Sequence, residues 1–321
     1  MLSVRGRNVN DIFPLGLFHL KNSGVERSSR NGPTLEIMSP VAVQYDRPDE
    51  RVLFSAERDA NPFFHLFESL WMLSGRDDVA FLDEYNSQMR KYSDDGTRFN
   101  AAYGHRLRVS FGKDQIDEVI TMLRRNPDDR RAVLQIWDVN DLGESSKDLA
   151  CNLTIVPRIR EGYLDWTVYN RSNDFILGAL GANAVHMSVI QEYVASMIGV
   201  KVGRYWQISN CMHVYTELTP HWKKCHDLPL TVFDPYKEGR VAPFPLVSNK
   251  ESWMSDLLTF MECPWGGQRY VDPFFNYVAK PMAIAHRAHK EDKSGLYYVS
   301  AIQASDWRMA CEQWLMKREV K

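Results

Sequence analysis

Apolar residues recur at helical spacing from Asn61 to Gly75, and NPFFHLFESLWMLSG ends at a glycine, so the pattern predicts a helix with its stop signal. A second amphipathic helix is predicted over 115–127, QIDEVITMLRRNP, closed by Asn126-Pro127. The polar stretch between them, residues 76–102, reads as loop or short helix. RAVLQIWDV, 131–139, reads as a strand. Residues 153–174, LTIVPRIREGYLDWTVYNRSND, hold two β-rich runs joined at Glu161-Gly162, a hairpin signal. ANAVHMSVIQEYVASMIG, 182–199, is the clearest buried helix; GRYWQISN is a further strand, with a helix expected to start near Met212. From Asp272 onward the tail is mostly helical and ends in the amphipathic ASDWRMACEQWLMKR. Strands and helices mix without a βαβ rhythm, which predicts an α+β fold around a large mixed or antiparallel sheet. No repeat, low-complexity tract or linker divides the chain, so one domain is expected over 1–321, with a helical C-terminal segment from about residue 250.

Composition narrows the function. The 321 residues are 44% hydrophobic and 25% charged, ordinary for a globular protein. Lys and Arg number 39 against 41 Asp and Glu, which argues against long nucleic acid as the main ligand but leaves room for a small anion held by a few arginines. MLSVRGRNVNDIF lacks the apolar stretch of a signal peptide, and no run of about 20 apolar residues offers a membrane span. Five scattered cysteines without a CxxC pair fit a reduced, cytoplasmic protein.

Several candidate motifs carry little. GALGAN, 178–183, lacks GxGxxG spacing, and no GxxxxGK[ST] loop exists. His286 and His289 lie three apart on a helix, and His221 and His226 flank Cys225, but neither pair has a second cluster to complete a metal site, so no metal is expected. Cys211, Cys225, Cys263 and Cys311 read as small core residues. Cys151, at the start of a strand, would read the same way but for YNRSNDFILG twenty residues on. There Arg171, Ser172 and Asp174 stand together at a strand end, where a cation would favour a thiolate. The alternative is a polar hairpin end with surface salt bridges.

Cys151, Arg171-Ser172-x-Asp174, Leu177-Gly178, Asn183 and His213-x-Tyr215 follow the order and near-identical spacing of the thymidylate synthase and pyrimidine nucleotide hydroxymethylase family, with one extra residue between Gly178 and Asn183. Glu68-x-x-Trp71, Tyr103-Gly104, Asp129-Arg130-Arg131 and Arg30-Asn31-Gly32 resemble further motifs of that family. The matches run from about residue 27 to 216; the last hundred residues resemble it poorly.

The resemblance implies a single thymidylate synthase-like domain, an obligate homodimer, and Cys151 as the nucleophile that adds to C6 of a pyrimidine nucleotide. By the same resemblance Arg30, Arg171 and Ser172 hold the phosphate, with Arg130 and Arg131 reaching in from the partner subunit. His213 and Tyr215 take the sugar hydroxyl, and Asn183 reads the base. Glu68 and Tyr103 move protons, while Asn152 stands where the family has a histidine beside the nucleophile. Asp174, Leu177, Gly178 and Trp71 fall at the site of the co-substrate, 5,10-methylenetetrahydrofolate. An amide at position 183 suits the uracil edge, so dUMP is the first expectation and dCMP the second, with CMP left open.

The departures from the family bear on the step after carbon transfer. Tryptophans expected between Trp71 and Tyr103 are absent, with Met89, Arg90 and Tyr92 near their places; Leu107 replaces another, and Ala150 a proline. The ending REVK lacks the apolar tail that closes over folate. Losing this shelf favours water attack on the exocyclic methylene over hydride transfer, since dryness suppresses the former. The reading is therefore a folate-dependent hydroxymethyltransferase. Its rivals are a divergent thymidylate synthase and an inactive nucleotide-binding homologue.

Overall fold

The computed structural model describes residues 1–320. Ten strands form two sheets. The strands are β1 (Leu2–Gly6), β2 (Val25–Ser29), β3 (Gly32–Ile37), β4 (Val41–Tyr45), β5 (Leu134–Gln135), β6 (Asn152–Arg160), β7 (Tyr163–Asn170), β8 (Asn173–Asp174), β9 (Lys201–Ser209) and β10 (Met212–Tyr215). The larger sheet is mixed, in the order β1-β4-β9-β7-β6-β5, and the smaller runs β2-β3-β10-β8. The α+β expectation holds, with a second sheet in addition to the expected large one.

The β6–β7 hairpin turns at Glu161 (φ 52°) and Gly162 (φ 78°), both left-handed, as a two-residue turn matching the strand twist requires. Two expectations need correction. Only Leu134–Gln135 of 131–139 is strand. The alternation is real, since Ala132, Leu134 and Ile136 are buried, but the Ile136 and Trp137 amides both donate to the Leu153 carbonyl, and the ladder ends there. Residues 212–215 are strand, not helix: Met212 and Val214 are buried in antiparallel register with Ile37 and Leu35, and Met212 also pairs in parallel with Asn173. Four residues are too few for a period to distinguish the two structures.

The Asn183–Ile198 helix is buried along most of its length and ends at Gly199, whose φ of 96° suits only glycine. From it Gln191 Nε2 donates to the carbonyls of Leu164 (2.8 Å) and Gly203 (3.2 Å), filling the irregularity where β7 and β9 shift register. Beside it lies the Pro62–Leu73 helix, opened by an Asn61 cap and Pro62. The C-terminal helices Trp253–Glu262, Lys280–Asp292 and Ser305–Glu319 pack on its far side. Phe63 meets Trp314 and His286, and Phe67 stacks on Phe260. The helix carrying Glu68 and Trp71 is thus held between the central helix and the divergent C-terminal segment.

His286 is a core residue whose burial pushes its imidazole down to about 3, and His289 bonds Glu319. Among the described residues, no three His, Cys, Asp or Glu side chains converge as a metal site. Cys225 and Cys311 are buried as expected, whereas Cys211 and Cys263 are only half-buried. No described helix is long and apolar enough to cross a membrane.

Candidate active site

A cleft of about 670 Å³ opens where the start of β6, the end of β7 and the smaller sheet meet. Cys151 stands at its floor, with Arg171, Ser172 and Asp174 from the hairpin end on one wall. Arg30 from the β2–β3 turn, Leu177, Gly178, Asn183, His213, Tyr215 and Tyr103 complete the lining. An inner cavity of about 210 Å³ adjoins it, lined by Glu68, Trp71, Met89, Phe99 and His186, and shares Tyr92, Tyr103, Asp148 and Asn183 with the outer cleft. Residues scattered over 186 positions of the sequence are thereby brought together. Arg130 and Arg131 are not among them. Both are exposed, and Arg131 pairs with its neighbour Asp129 at 2.7 Å.

The sulfur is pinned by its backbone. The Cys151 amide donates to the Tyr103 hydroxyl (3.2 Å), and its carbonyl accepts from the Arg171 amide (3.0 Å). The Arg171 guanidinium donates to the Ala150 (2.8 Å) and Leu149 (3.1 Å) carbonyls and lies over the Trp137 ring. No described carboxylate pairs with Arg171, so its charge remains available to an anion. Burial pushes the Cys151 thiol up, Arg171 and Arg30 pull it down, and the net direction is up. The resting sulfur is therefore protonated at neutral pH. Burial, reinforced by the nearby Cys151, raises Tyr103 and keeps it a neutral phenol.

Glycine at position 104 is compulsory, because a Cβ there would lie 2.0 Å from the Met72 carbonyl oxygen. This close approach sets Tyr103 against the helix that carries Glu68.

Asn183 belongs to a chain of amides. Asn152 Nδ2 donates to Asn183 Oδ1 (3.3 Å), Asn183 Nδ2 to Asn173 Oδ1 (3.1 Å), and Asn173 Nδ2 to Gln207 Oε1 (2.8 Å). Gln207 in turn donates to the Tyr45 hydroxyl and the Ala179 carbonyl. Each amide is oriented by the next, so Asn183 keeps one free N–H and one free lone pair. Residues Phe175–Ala182 form wide, π-type turns broken by a kink at Gly181 (φ −115°, ψ −114°), and the Asn183 amide bonds the Gly178 carbonyl five residues back. Gly178 is needed as well, since a Cβ would fall 2.5 Å from Asn173 Oδ1.

Asp174 caps this segment by accepting from the Leu177 amide (2.6 Å) and clamps β10 through the Tyr215 amide (3.3 Å). Burial raises its carboxyl and lowers the neighbouring His213, leaving a neutral imidazole edge-on to Tyr215. In the inner cavity, Glu68 Oε2 lies 2.9 Å from His186 Nε2, with side chains 13% and 4% exposed. The two atoms are misaligned for a hydrogen bond and neither has another partner. Buried polar atoms left this way are commonly satisfied by water.

Met89 and Tyr92 line the inner cavity where the family's tryptophans are missing, whereas Arg90 turns away to Asp83. Leu107 is fully buried. The end of the last helix is fastened to the body: Arg318 pairs with Asp59, and Glu319 accepts from the Gly295 and Leu296 amides. Trp137, Asp148 and His186 escaped the sequence reading. A histidine in the clearest buried helix was the one available signal, since such a side chain needs a partner or a task.

The thymidylate synthase family model matches residues 17–227. The chain is 46% identical to the "Deoxyuridylate hydroxymethyltransferase" of Pseudomonas phage M6, over 99% of its own length and 95% of that relative's. It is 40% identical to the protein of the same name from Bacillus phage SP01, over 58% of this chain and 52% of the relative. A "Putative thymidylate synthase" of Methanosarcina barkeri is 31% identical over 66% of this chain and 88% of the relative. A match over most of the chain, carried by residues that meet in one cleft, places this protein in the thymidylate synthase family.

Proposed function

We propose that the enzyme hydroxymethylates C5 of deoxyuridylate, with 5,10-methylenetetrahydrofolate as one-carbon donor and water as the source of the new hydroxyl. One observation carries this reading beyond the family: the nucleophile's cleft adjoins a cavity of about 210 Å³, lined by Glu68, Asp148 and His186 among apolar side chains, with room for ordered water. Such a chamber retains water where a methyl-forming site must exclude it. The names of the phage relatives agree.

In this reading Arg30, Arg171 and Ser172 fix the phosphate, and His213 and Tyr215 the 3'-hydroxyl, so that C6 sits over Cys151. The sulfur, deprotonated as the nucleotide seats, adds to C6 and makes C5 nucleophilic. Asn183 faces N3 and O4 with its free donor and acceptor, and Asn152 holds it there. Folate supplies a carbon at the formaldehyde level of oxidation; Trp71, Asp174, Leu177 and Gly178 line the space that would hold it. Tyr103 takes part in removing the C5 proton and Glu68 organises water. Loss of the C5 proton and of tetrahydrofolate from the C5 adduct would leave an exocyclic methylene, to which water adds before Cys151 leaves. The whole chain acts as one cytoplasmic catalytic domain.

Arg130 and Arg131 enter this scheme through a homodimer. The face of the larger sheet carrying Thr167, Tyr169, Trp206 and Ile208 is only partly covered, and a second copy seated there would bring the pair to its partner's phosphate site. Mixing inactive Cys151→Ser and Arg131→Ala chains tests this. Random reassortment restores one intact site in each mixed dimer, about a quarter of wild-type activity; no recovery would refute the shared site.

For the activity itself, the purified chain is incubated with C5-tritiated dUMP and methylenetetrahydrofolate. Tritium release with a 5-hydroxymethyl product and tetrahydrofolate is expected. A 5-methyl product with dihydrofolate would identify a thymidylate synthase instead. Absence of tritium release from dUMP and dCMP alike would leave only nucleotide binding.

A further inference from the structure

Asp148 is the one carboxylate that lines both the nucleophile's cleft and the inner cavity. Its Oδ2 is held by the Ala101 amide at 2.7 Å, while no described donor reaches its Oδ1. The backbone around it is fixed, because its carbonyl accepts from Asn100 Nδ2 (3.1 Å) and Ser146 Oγ (3.2 Å). One oxygen is therefore anchored and the other is free, at the junction of a chamber suited to water and the floor where Cys151 stands.

The other groups near this junction are less suited to accept a proton from water. Tyr103 is a neutral phenol and Asn183 has no basic atom, while Glu68 and His186 line the inner cavity but not the cleft where Cys151 stands. The chamber's volume of about 210 Å³ holds several waters at roughly 30 Å³ each.

We propose that Asp148 is the general base of the hydroxylation step, taking a proton from the water that attacks the exocyclic methylene. The inference rests on the hydroxymethylase reading above. An O–H bond of the water breaks as its oxygen bonds to the methylene carbon, and the proton passes to Asp148 Oδ1. The π pair of the methylene moves to C5 and on to O4. That enolate re-forms the C5–C6 double bond and breaks the C6–S bond, returning an electron pair to Cys151. Nothing is oxidised or reduced, and Asp148 loses its proton through the open cleft. Burial raises this carboxyl above its ordinary value, against the pull of the Ala101 amide, which makes it a stronger base than a free carboxylate. Arg106 opposes the shift, and Asp94 and Asp141 reinforce it; Tyr103 and Cys151 are the other titratable neighbours.

The test uses Asp148→Asn, which keeps an acceptor for the Ala101 amide, and Asp148→Glu, which returns the base. Full-length protein is given tritiated dUMP and methylenetetrahydrofolate. Single-turnover tritium release and 5-hydroxymethyl product are followed together, with intact-protein mass for material trapped on Cys151. The asparagine variant is expected to release tritium within about threefold of wild type, while product falls 10²-fold or more and a covalent adduct accumulates. The acidic limb of the product-formation pH profile should vanish with it and return in the glutamate variant. Wild-type product formation by Asp148→Asn overturns the proposal. So does an equal loss of tritium release and product, which would place Asp148 upstream of water attack. A wild-type enzyme that makes no hydroxymethyl product contradicts the underlying activity instead. If the asparagine variant does not fold, recovery of product and acidic limb in the glutamate variant against Asp148→Ser decides the matter, and equal behaviour of those two overturns it.

Discussion

Replacing Asn183 by Asp changes one atom at the position proposed to read the base and tests how firmly the amide chain would fix specificity. In the native site Asn183 Nδ2 donates to Asn173 Oδ1 at 3.1 Å, leaving its other N–H for the base. An ionised carboxyl would set two acceptors against each other there. Asn173 cannot flip to relieve them, because its own Nδ2 is committed to Gln207 Oε1 and Ser209 Oγ. The introduced group would instead be protonated, spend its single proton on Asn173, and offer the base only an acceptor. For uracil this removes the donor to O4 and opposes two acceptors.

An unmade buried hydrogen bond costs about 1–3 kcal/mol, and the opposed pair brings the total to roughly 3 kcal/mol. At 1.36 kcal/mol per decade, kcat/KM for dUMP should fall about a hundredfold. The 4-amino group of cytosine donates to the new acceptor, so dCMP should lose nothing and the dCMP:dUMP preference should shift by a hundredfold or more. Tritium release from each nucleotide, with thermal unfolding as a check on the fold, measures both quantities. A loss for dUMP below about fivefold, in a folded variant, would refute the claim that Asn183 reads the base through this fixed amide.

Two other outcomes come from the charges. Arg171→Ala removes a cation that pulls the Cys151 thiol down, so the apparent pKa for alkylation of Cys151 by iodoacetamide should rise, slowing the reaction at pH 8 by about 3–10-fold; an unchanged profile would show that the charge does not reach the sulfur. Asp306 is buried, accepts from the Tyr236 hydroxyl at 2.9 Å, and is pushed up to about 6. The folded state then binds this proton more tightly than the unfolded state, so the group stabilises below pH 4 and that contribution is lost as pH rises from 4 to 6. Asp306→Asn matches the protonated carboxyl, its oxygen accepting from the Trp307 amide and its N–H facing the Tyr236 oxygen, and should be more stable than wild type by about 2–3 kcal/mol at pH 7 in urea unfolding, and no more stable near pH 4.

Much of the fold was legible because its periods are long. The Pro62–Leu73 and Asn183–Ile198 helices and the hairpin at Glu161-Gly162 each give several turns or pairs of pattern. Met212–Tyr215 was misread because four residues carry no period; its partners, Thr34–Ile37 and Asn173–Asp174, lie far away in the chain. The site was legible where a family resemblance could supply its residues. It was not legible where a side chain gains meaning only from a neighbour brought in by folding. Asp148 is an ordinary loop aspartate until two cavities meet at it, and His186 an anomaly in an apolar helix until Glu68 stands 2.9 Å away.

The two sides of the cleft are built differently, and this bears on how one scaffold can yield two products. On the side of the linked amides Asn152, Asn183, Asn173 and Gln207 each orient the next, and Gly178 makes room for them. A single change there disturbs the whole chain, because a half-satisfied buried network is worse than none. The side proposed to handle water rests on positions that bear less of the fold. Asp148 stands on a loop tied by backbone bonds, and Met89 and Tyr92 on a short 3₁₀ turn outside the sheets. Substitutions there alter what fills the inner cavity without breaking the amide chain. The choice between water and hydride can therefore be changed at small structural cost, while the choice of base cannot. Product variants of this fold should accordingly differ around residues 89–92 and 148 more readily than among the linked amides.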